Sequence, residues 1–120
     1  MTKYIKYGPD SNRDLLVVDD HLGWVLNTNL KELSSLNRCG EKFLTKTPQK
    51  PLIIKYPRYN NQKKVLFVGD SFIQAGAVST GKAYYDYFEE LTKEDFSVYA
   101  SGVGGYGSLQ EYMVIKKYLS

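Results

Sequence analysis

A run of four apolar residues, Val65–Val68, constrains the fold of this chain more than any other feature. The run is β-branched at both ends, which is typical of a parallel strand covered on both faces. It ends in Gly69, and Asp70 and Ser71 follow directly. Ligands of open parallel sheets gather beyond the carboxyl ends of the strands, so the pattern puts the Ser71 hydroxyl where a nucleophile would be useful.

The residues after this serine alternate between helical and extended patterns. Apolar side chains recur at helical spacing at Tyr84, Phe88 and Leu91, which predicts an amphipathic helix over about residues 82–93. A second strand is predicted at Phe96–Ala100, where apolar residues dominate. The order of strand, helix and strand implies a right-handed crossover and a parallel sheet.

A glycine-rich loop, Gly102–Gly107, follows the second predicted strand. The next residues have the S-x-x-E form of a capping box, with Ser108 as the cap and Glu111 as the residue that reaches back. A helix is therefore predicted to begin at Leu109. Its buried face is predicted from the apolar residues at helical spacing, which are Leu109, Tyr112, Ile115 and Leu119.

The chain of 120 residues is long enough for one domain, and its pattern changes near Lys63. Residues 1–62 are predicted to form a lead segment of loops and short strands, with one strand at Leu52–Tyr56. Residues 63–120 are predicted to form the first strand, helix, strand and helix of an α/β domain. Two strands cannot make a parallel sheet covered on both faces, so we expect the chain to be part of a larger domain.

Ester hydrolysis needs a nucleophile and backbone N–H donors aimed at the oxygen that becomes negative in the tetrahedral intermediate. Ser71 offers a hydroxyl for the first role and its own backbone N–H for the second. The N–H of Gly105 offers another donor, because a glycine lets a substrate approach the backbone closely. Losing one such donor typically raises the barrier by about 3 kcal/mol.

Two segments resemble sequence blocks of the SGNH, or GDSL-type, hydrolases. Gly69-Asp70-Ser71-Phe72 resembles the first block, and Ser101–Gly107 resembles the second. The resemblance implies a three-layer α/β/α fold of flavodoxin-like type with a parallel sheet, of which these residues are the first strand-helix-strand-helix part. It also implies an ester hydrolase that acts through an acyl-serine intermediate, with Ser71 as nucleophile and Gly105 as oxyanion donor.

By the same resemblance, Gly69 and Asp70 support Ser71, and the reaction uses neither a metal nor an organic cofactor. The family acts on lipid esters, acetylated sugars and thioesters. The expected substrate is therefore a small-molecule, carbohydrate or lipid ester, and no residue pattern selects among these classes.

The family's third block, Gly-x-Asn-Asp, and its fifth block, Asp-x-x-His, do not occur in this sequence. In the family these blocks supply an oxyanion-hole asparagine and the base with its carboxylate. We expect both beyond Ser120, and we expect the 120 residues alone to be inactive, because a serine hydroxyl without a base is weakly nucleophilic. The first half also resembles the segment before the catalytic domain in one branch of the family, through Leu22-Gly23-Trp24, Asn27 and Asn37-x-x-Gly40.

Other interpretations of these residues stay open. Ile73 stands where a G-x-S-x-G elbow has its last glycine, which disfavours an α/β-hydrolase. Gly-Asp-Ser also forms turns and caps without any catalytic role, so the chain can be a non-catalytic remnant or a binding module. Gly102-x-Gly104-x-x-Gly107 matches the dinucleotide fingerprint, although it follows the second strand and the chain is too short to show the acidic residue expected about 20 residues later.

His21 is the only histidine, and serine hydrolases usually take their base from one. It follows Asp19 and Asp20 in a run typical of a turn, and nothing in the sequence brings it near Ser71. A solvated turn is therefore favoured over a catalytic or a metal-binding role.

The segment Lys46–Lys64 is basic, contains no acidic residue and includes two tyrosines. Such interleaving can bind nucleic acid, but it is more typical of a solvated linker, and we expect no nucleic-acid partner. Cys39 is the only cysteine, which excludes a disulfide within the chain. The formal net charge of +3 decides little. No apolar run approaches the roughly 18 residues of a membrane span, and the composition indicates no cellular compartment.

Overall fold

The computed structural model describes residues 4–5, 15–29, 32–36, 39–46 and 48–119. The strands in these ranges are β1 (Tyr4–Ile5), β2 (Leu16–Asp19), β3 (Gly23–Leu26), β4 (Glu32–Leu36), β5 (Lys42–Lys46), β6 (Lys63–Gly69) and β7 (Phe96–Gly102). The helices are α1 (Ser71–Gln74), α2 (Tyr84–Leu91) and α3 (Ser108–Leu119). None of these helices is long and apolar enough to cross a lipid bilayer.

β6 and β7 form the parallel pair that the sequence predicts, with α2 in the crossover. The register runs from Lys63 beside Phe96 to Gly69 beside Gly102. The protein is thus a mixed α/β fold with a small parallel sheet, and the predicted order of strand, helix, strand and helix is confirmed. Val65–Val68 are only half-buried, contrary to prediction, because the described residues pair β6 with β7 alone.

The strand predicted at Leu52–Tyr56 is reduced to one antiparallel bridge, between Lys55 and Ala100. The N–H of Ile54 donates to the carbonyl of Ala100 at 2.9 Å, and the N–H of Ala100 donates to the carbonyl of Lys55 at 3.2 Å. Pro57 lacks the N–H that would continue the ladder. This segment therefore covers part of the free edge of β7.

The lead segment contains short strands that the sequence analysis did not locate. β1, β2 and β3 form an antiparallel sheet, and β4 pairs with β5. The turn between β2 and β3 joins Asp19 to Gly23, whose φ of +85° suits glycine. The Asp19 carboxylate accepts hydrogen bonds from the backbone N–H groups of His21 and Leu22, at 3.0 and 2.8 Å, which closes the turn.

One hydrophobic cluster joins the two parts of the chain. Its buried members come from β2, β3, the segment before β6, the glycine-rich loop and α3, and they are Leu16, Val25, Leu26, Leu52, Val103, Tyr106 and Val114. A second cluster surrounds β7, where Val98 and Ala100 are fully buried. The β2–β3 hairpin therefore packs against the glycine-rich loop and α3.

α3 turns a different face inward than predicted. Val114 is 1% exposed, whereas Leu109 is 71%, Tyr112 58% and Ile115 37% exposed. The prediction of a buried face at Leu109, Tyr112 and Ile115 is therefore wrong, and the side chain of Leu119 lies outside the described residues. The helix packs through Val114 because the cluster with the hairpin lies on that side.

The start of α3 also differs from the prediction by one residue. The helix begins at Ser108, and Gly107 stands directly before it. The side-chain carbonyl of Gln110 accepts the N–H of Gly107 at 2.9 Å. Gln110 thus takes the reaching-back role predicted for Glu111, and a glycine takes the place of the predicted cap.

α2 also turns an unexpected face inward. Tyr84 is 49% exposed and Leu91 is 86% exposed, although both were predicted on its apolar face. The buried residues of the helix are instead Tyr85, Asp86 and Glu89. Two of the three are acidic, so this face of α2 requires cations opposite it.

The basic segment before β6 supplies those cations. Lys55 Nζ lies 2.9 Å from Asp86 Oδ1 and 2.9 Å from Glu89 Oε1, and Arg58 Nε donates to Glu89 Oε1 at 2.9 Å. Lys55 is itself buried. The interpretation of Lys46–Lys64 as a solvated linker is therefore wrong at Lys55, whereas Arg58 stays exposed while its guanidinium pairs with Glu89.

Candidate active site

Ser71 lies at the point where β6 turns into α1. It is the first residue of that helix, and its side chain is exposed. Asp70 is the N-cap, and its carboxylate accepts the N–H of Phe72 at 2.9 Å. Aspartate is a favoured residue in this position because its side chain satisfies a helix N–H that has no backbone partner. Asp70 thus holds the turn that presents the Ser71 hydroxyl to solvent.

Two glycines let α1 lie directly on the ends of β6 and β7. A Cβ at Gly69 would stand 2.4 Å from Ile73 Cγ1, and a Cβ at Gly102 would stand 2.4 Å from the backbone nitrogen of Gln74. The two glycines are partners in the last register position of the ladder. The lack of a side chain at Gly69 therefore lets Ile73 of α1 pack against the end of β6, and Gly102 does the same for the backbone of α1 at the end of β7.

The glycine-rich loop is held in place by side chains from two other elements. Gln74, on α1, accepts the N–H of Gly104 through its side-chain carbonyl at 2.6 Å. Trp24, on β3, donates its indole N–H to the carbonyl of Gly104 at 2.9 Å. The N–H of Tyr106 donates to the carbonyl of Val103 at 3.2 Å, which closes a turn within the loop.

The structure brings the two predicted donors to the same end of the parallel sheet. Ser71 follows the last residue of β6 by two positions, and Gly105 follows the last residue of β7 by three. Both residues are exposed. Among the described residues, none accepts a hydrogen bond from the backbone N–H of Ser71 or of Gly105. Both N–H groups are therefore available to a ligand oxygen.

His21 lies in the exposed turn between β2 and β3, as predicted. Its backbone N–H donates to Asp19, and no hydrogen bond or ion pair in the described part of the chain joins its imidazole to Ser71. The described residues also place no carboxylate on the Ser71 hydroxyl. The site thus contains a hydroxyl and N–H donors, while the base of a serine hydrolase has no counterpart in these ranges.

The described ranges contain no group of three or more histidines, cysteines and acidic residues that could hold a metal ion. The dinucleotide interpretation of Gly102–Gly107 needs N–H groups free to face a pyrophosphate. The N–H groups of Gly104 and Gly107 instead donate to the side chains of Gln74 and Gln110. The loop therefore offers a phosphate fewer donors than its sequence indicates.

A cavity of about 300 Å³ lies next to the carboxyl end of α1. Its lining includes Gln74 from α1, Ala75 directly after it, Leu26 from β3, and Lys55 and Tyr85. Ser71 does not line it. The cavity and the exposed serine hydroxyl are therefore neighbouring but separate features.

Three residues of the site were not found by sequence reasoning. Trp24 was noted only as part of a segment that resembles one branch of the family, and Gln74 and Gln110 were not singled out at all. Gln74 follows Ser71 by three residues, so one helical turn brings the two to the same side of α1, and this spacing was the available signal. Trp24 is 80 residues from its partner Gly104, and no local pattern reveals such a contact.

Comparison with known proteins adds no relative, because no family model, curated protein or solved structure matches this chain.

Proposed function

We propose that this chain supplies the nucleophile and the oxyanion donors of an ester hydrolase of the SGNH type. One observation carries the proposal. The exposed hydroxyl of Ser71 and the unoccupied N–H of Gly105 follow two neighbouring parallel strands, and Gln74 ties the helix of the first to the loop of the second. Nucleophile and donors on adjoining loops are the arrangement that acyl transfer requires.

The reaction begins when the Ser71 oxygen attacks the carbonyl carbon of the ester and a base takes its proton. The N–H groups of Ser71 and Gly105 donate to the oxygen that becomes negative. The alcohol then leaves with a proton returned by the base, and water attacks the acyl-serine to release the acid. The base belongs to the part of the site that the described residues do not supply, and by the family resemblance it is an imidazole.

The three-layer α/β/α arrangement with further parallel strands is part of the same proposal. β6 is paired on one side only within the described residues, and its apolar residues are half-buried. Leu109 and Tyr112 on α3 present large apolar side chains to solvent. A wider sheet with helices on both faces would bury this surface. The substrate class stays open among small-molecule, carbohydrate and lipid esters.

Covalent labelling tests the proposal. The protein produced from its complete reading frame is treated with a fluorophosphonate, and the labelled residue is identified by peptide mass spectrometry. We expect the label on Ser71 and its loss in Ser71→Ala. Ser108→Ala is the matched control, because Ser108 is also an exposed first residue of a helix, and this variant should keep the label. Labelling that persists in Ser71→Ala would overturn the proposal.

A further inference from the structure

The peptide that carries the Gly105 N–H is held by a residue from the first part of the chain. The indole N–H of Trp24 donates to the carbonyl of Gly104 at 2.9 Å. That carbonyl and the N–H of Gly105 belong to one planar peptide unit, and in a trans peptide they point in opposite directions. A hydrogen bond that fixes the carbonyl therefore fixes the direction of the N–H, which points away from Trp24.

The indole ring also packs against the residue that bears this N–H. A Cβ added to Gly105 would lie 3.2 Å from Trp24 Cζ2, and the φ of Gly105 is +84°. The ring thus occupies one side of the Gly105 backbone. A ligand must approach this N–H from the side opposite the ring.

Trp24 is itself firmly placed. Its backbone carbonyl accepts the hydroxyl of Tyr106 at 2.6 Å, and the two rings meet edge to face with centroids 5.8 Å apart. The preceding peptide of the loop is held by Gln74 at 2.6 Å. With anchors on both peptides around Gly104, rotation of the Gly104–Gly105 peptide would break at least one hydrogen bond.

We propose that Trp24 is a positioning residue that aims the Gly105 N–H at the oxyanion of the tetrahedral intermediate. The inference rests on the proposed function, and it makes the β2–β3 hairpin part of the site. Trp24 acts through the Gly104–Gly105 peptide. Its role is therefore to keep a donor pre-oriented, which stabilises the transition state more than the bound substrate.

The test uses Trp24→Phe, which keeps an aromatic ring and removes the indole N–H. In the protein from the complete reading frame, we expect a lower NMR order parameter for the Gly105 amide. We also expect kcat for an aryl acetate to fall about tenfold or more, with KM little changed. The misaligned Gly105 N–H would weaken a hydrogen bond that forms fully only in the transition state. Because a smaller folded fraction would also lower the apparent kcat at constant KM, kcat is expressed per folded molecule, with the folded fraction measured by near-ultraviolet circular dichroism.

Val114→Ala is the matched control. Val114 on α3 belongs to the buried cluster through which the β2–β3 hairpin packs, so this variant weakens the docking of the hairpin and leaves the bond from Trp24 to Gly104 in place. We expect its kcat and its Gly105 order parameter to stay close to those of the unmodified protein. If Val114→Ala were as impaired as Trp24→Phe, weaker hairpin docking would explain the effect, and the inference would be overturned.

The two proposals fail in different ways. An unchanged Gly105 order parameter in Trp24→Phe overturns the positioning role, whether or not Ser71 is shown to react. An unchanged kcat in Trp24→Phe, with Ser71→Ala inactive, also overturns it and leaves the proposed function standing. If the unmodified protein never reacts at Ser71, the proposed function fails, and the positioning role falls with it.

Discussion

At the scale of single residues, the site depends on its glycines, which leave room for close packing, as much as on its functional side chains. Gly102 was predicted to be the first residue of the glycine-rich loop. The structure shows it instead as the last residue of β7, where the backbone of α1 packs directly upon it. Any Cβ there meets the backbone of Ile73 and Gln74, which cannot rotate away as a side chain can.

Gly102→Ala should therefore destabilise the fold and displace α1. We expect the free energy of unfolding, measured by urea denaturation, to fall by about 1–3 kcal/mol, the usual cost of overpacking. Gly107→Ala is the control, because a Cβ at that position has no atom within 4 Å. Equal stability of the two variants would contradict the close packing described here.

At the scale of elements, the two parallel strands followed from the sequence, whereas the short strands of the lead segment and the buried faces of the helices did not. β6 and β7 were predictable because both are short, are rich in β-branched and aromatic residues and end in glycine, which favours a strand over a buried helix. α2 and α3 carry apolar or aromatic residues on more than one side, so their periodicity does not select the buried face. The buried face of each helix is determined by residues distant in sequence: the hairpin packs against Val114 of α3, and the cations pair with Glu89 of α2.

The buried ion pairs of α2 make stability depend on pH. Burial alone would raise the pKa of Glu89, but hydrogen bonds from Lys55 and Arg58 outweigh it and hold this pKa below its usual value. Because the folded-state pKa is the lower one, the stabilisation is present above the unfolded pKa of about 4.3 and is lost as the pH falls through the folded value.

Glu89→Gln should remove much of this dependence. At pH 7 we expect the variant to be less stable by about 3 kcal/mol, because Lys55 and Arg58 lose a buried partner. Between pH 5 and pH 3, roughly the range around an ordinary glutamate pKa, its urea midpoint should change less than that of the unmodified protein. Glu94→Gln, at an exposed position, should match the unmodified protein in both respects. An identical pH profile for Glu89→Gln would rule out this account.

At the scale of the whole molecule, the hairpin of the first part and the loops of the second form one unit. They share the cluster that contains Leu16, Val103 and Val114, and Trp24 reaches from the hairpin to Gly104. Ser71 and the glycine-rich loop could be located from the sequence because strand ends and glycines are local signals. The anchoring of that loop could not, because contacts between residues 80 positions apart leave no local trace.

The central claim is that Ser71 becomes acylated, and trapping that intermediate tests it most directly. The protein from the complete reading frame is mixed with an aryl acetate and quenched in acid within a single turnover, and its peptides are analysed by mass spectrometry. The account predicts one acetyl group on Ser71 and none in Ser71→Ala. Hydrolysis of the ester with the acetyl group on another residue, or undiminished hydrolysis by Ser71→Ala, would contradict it.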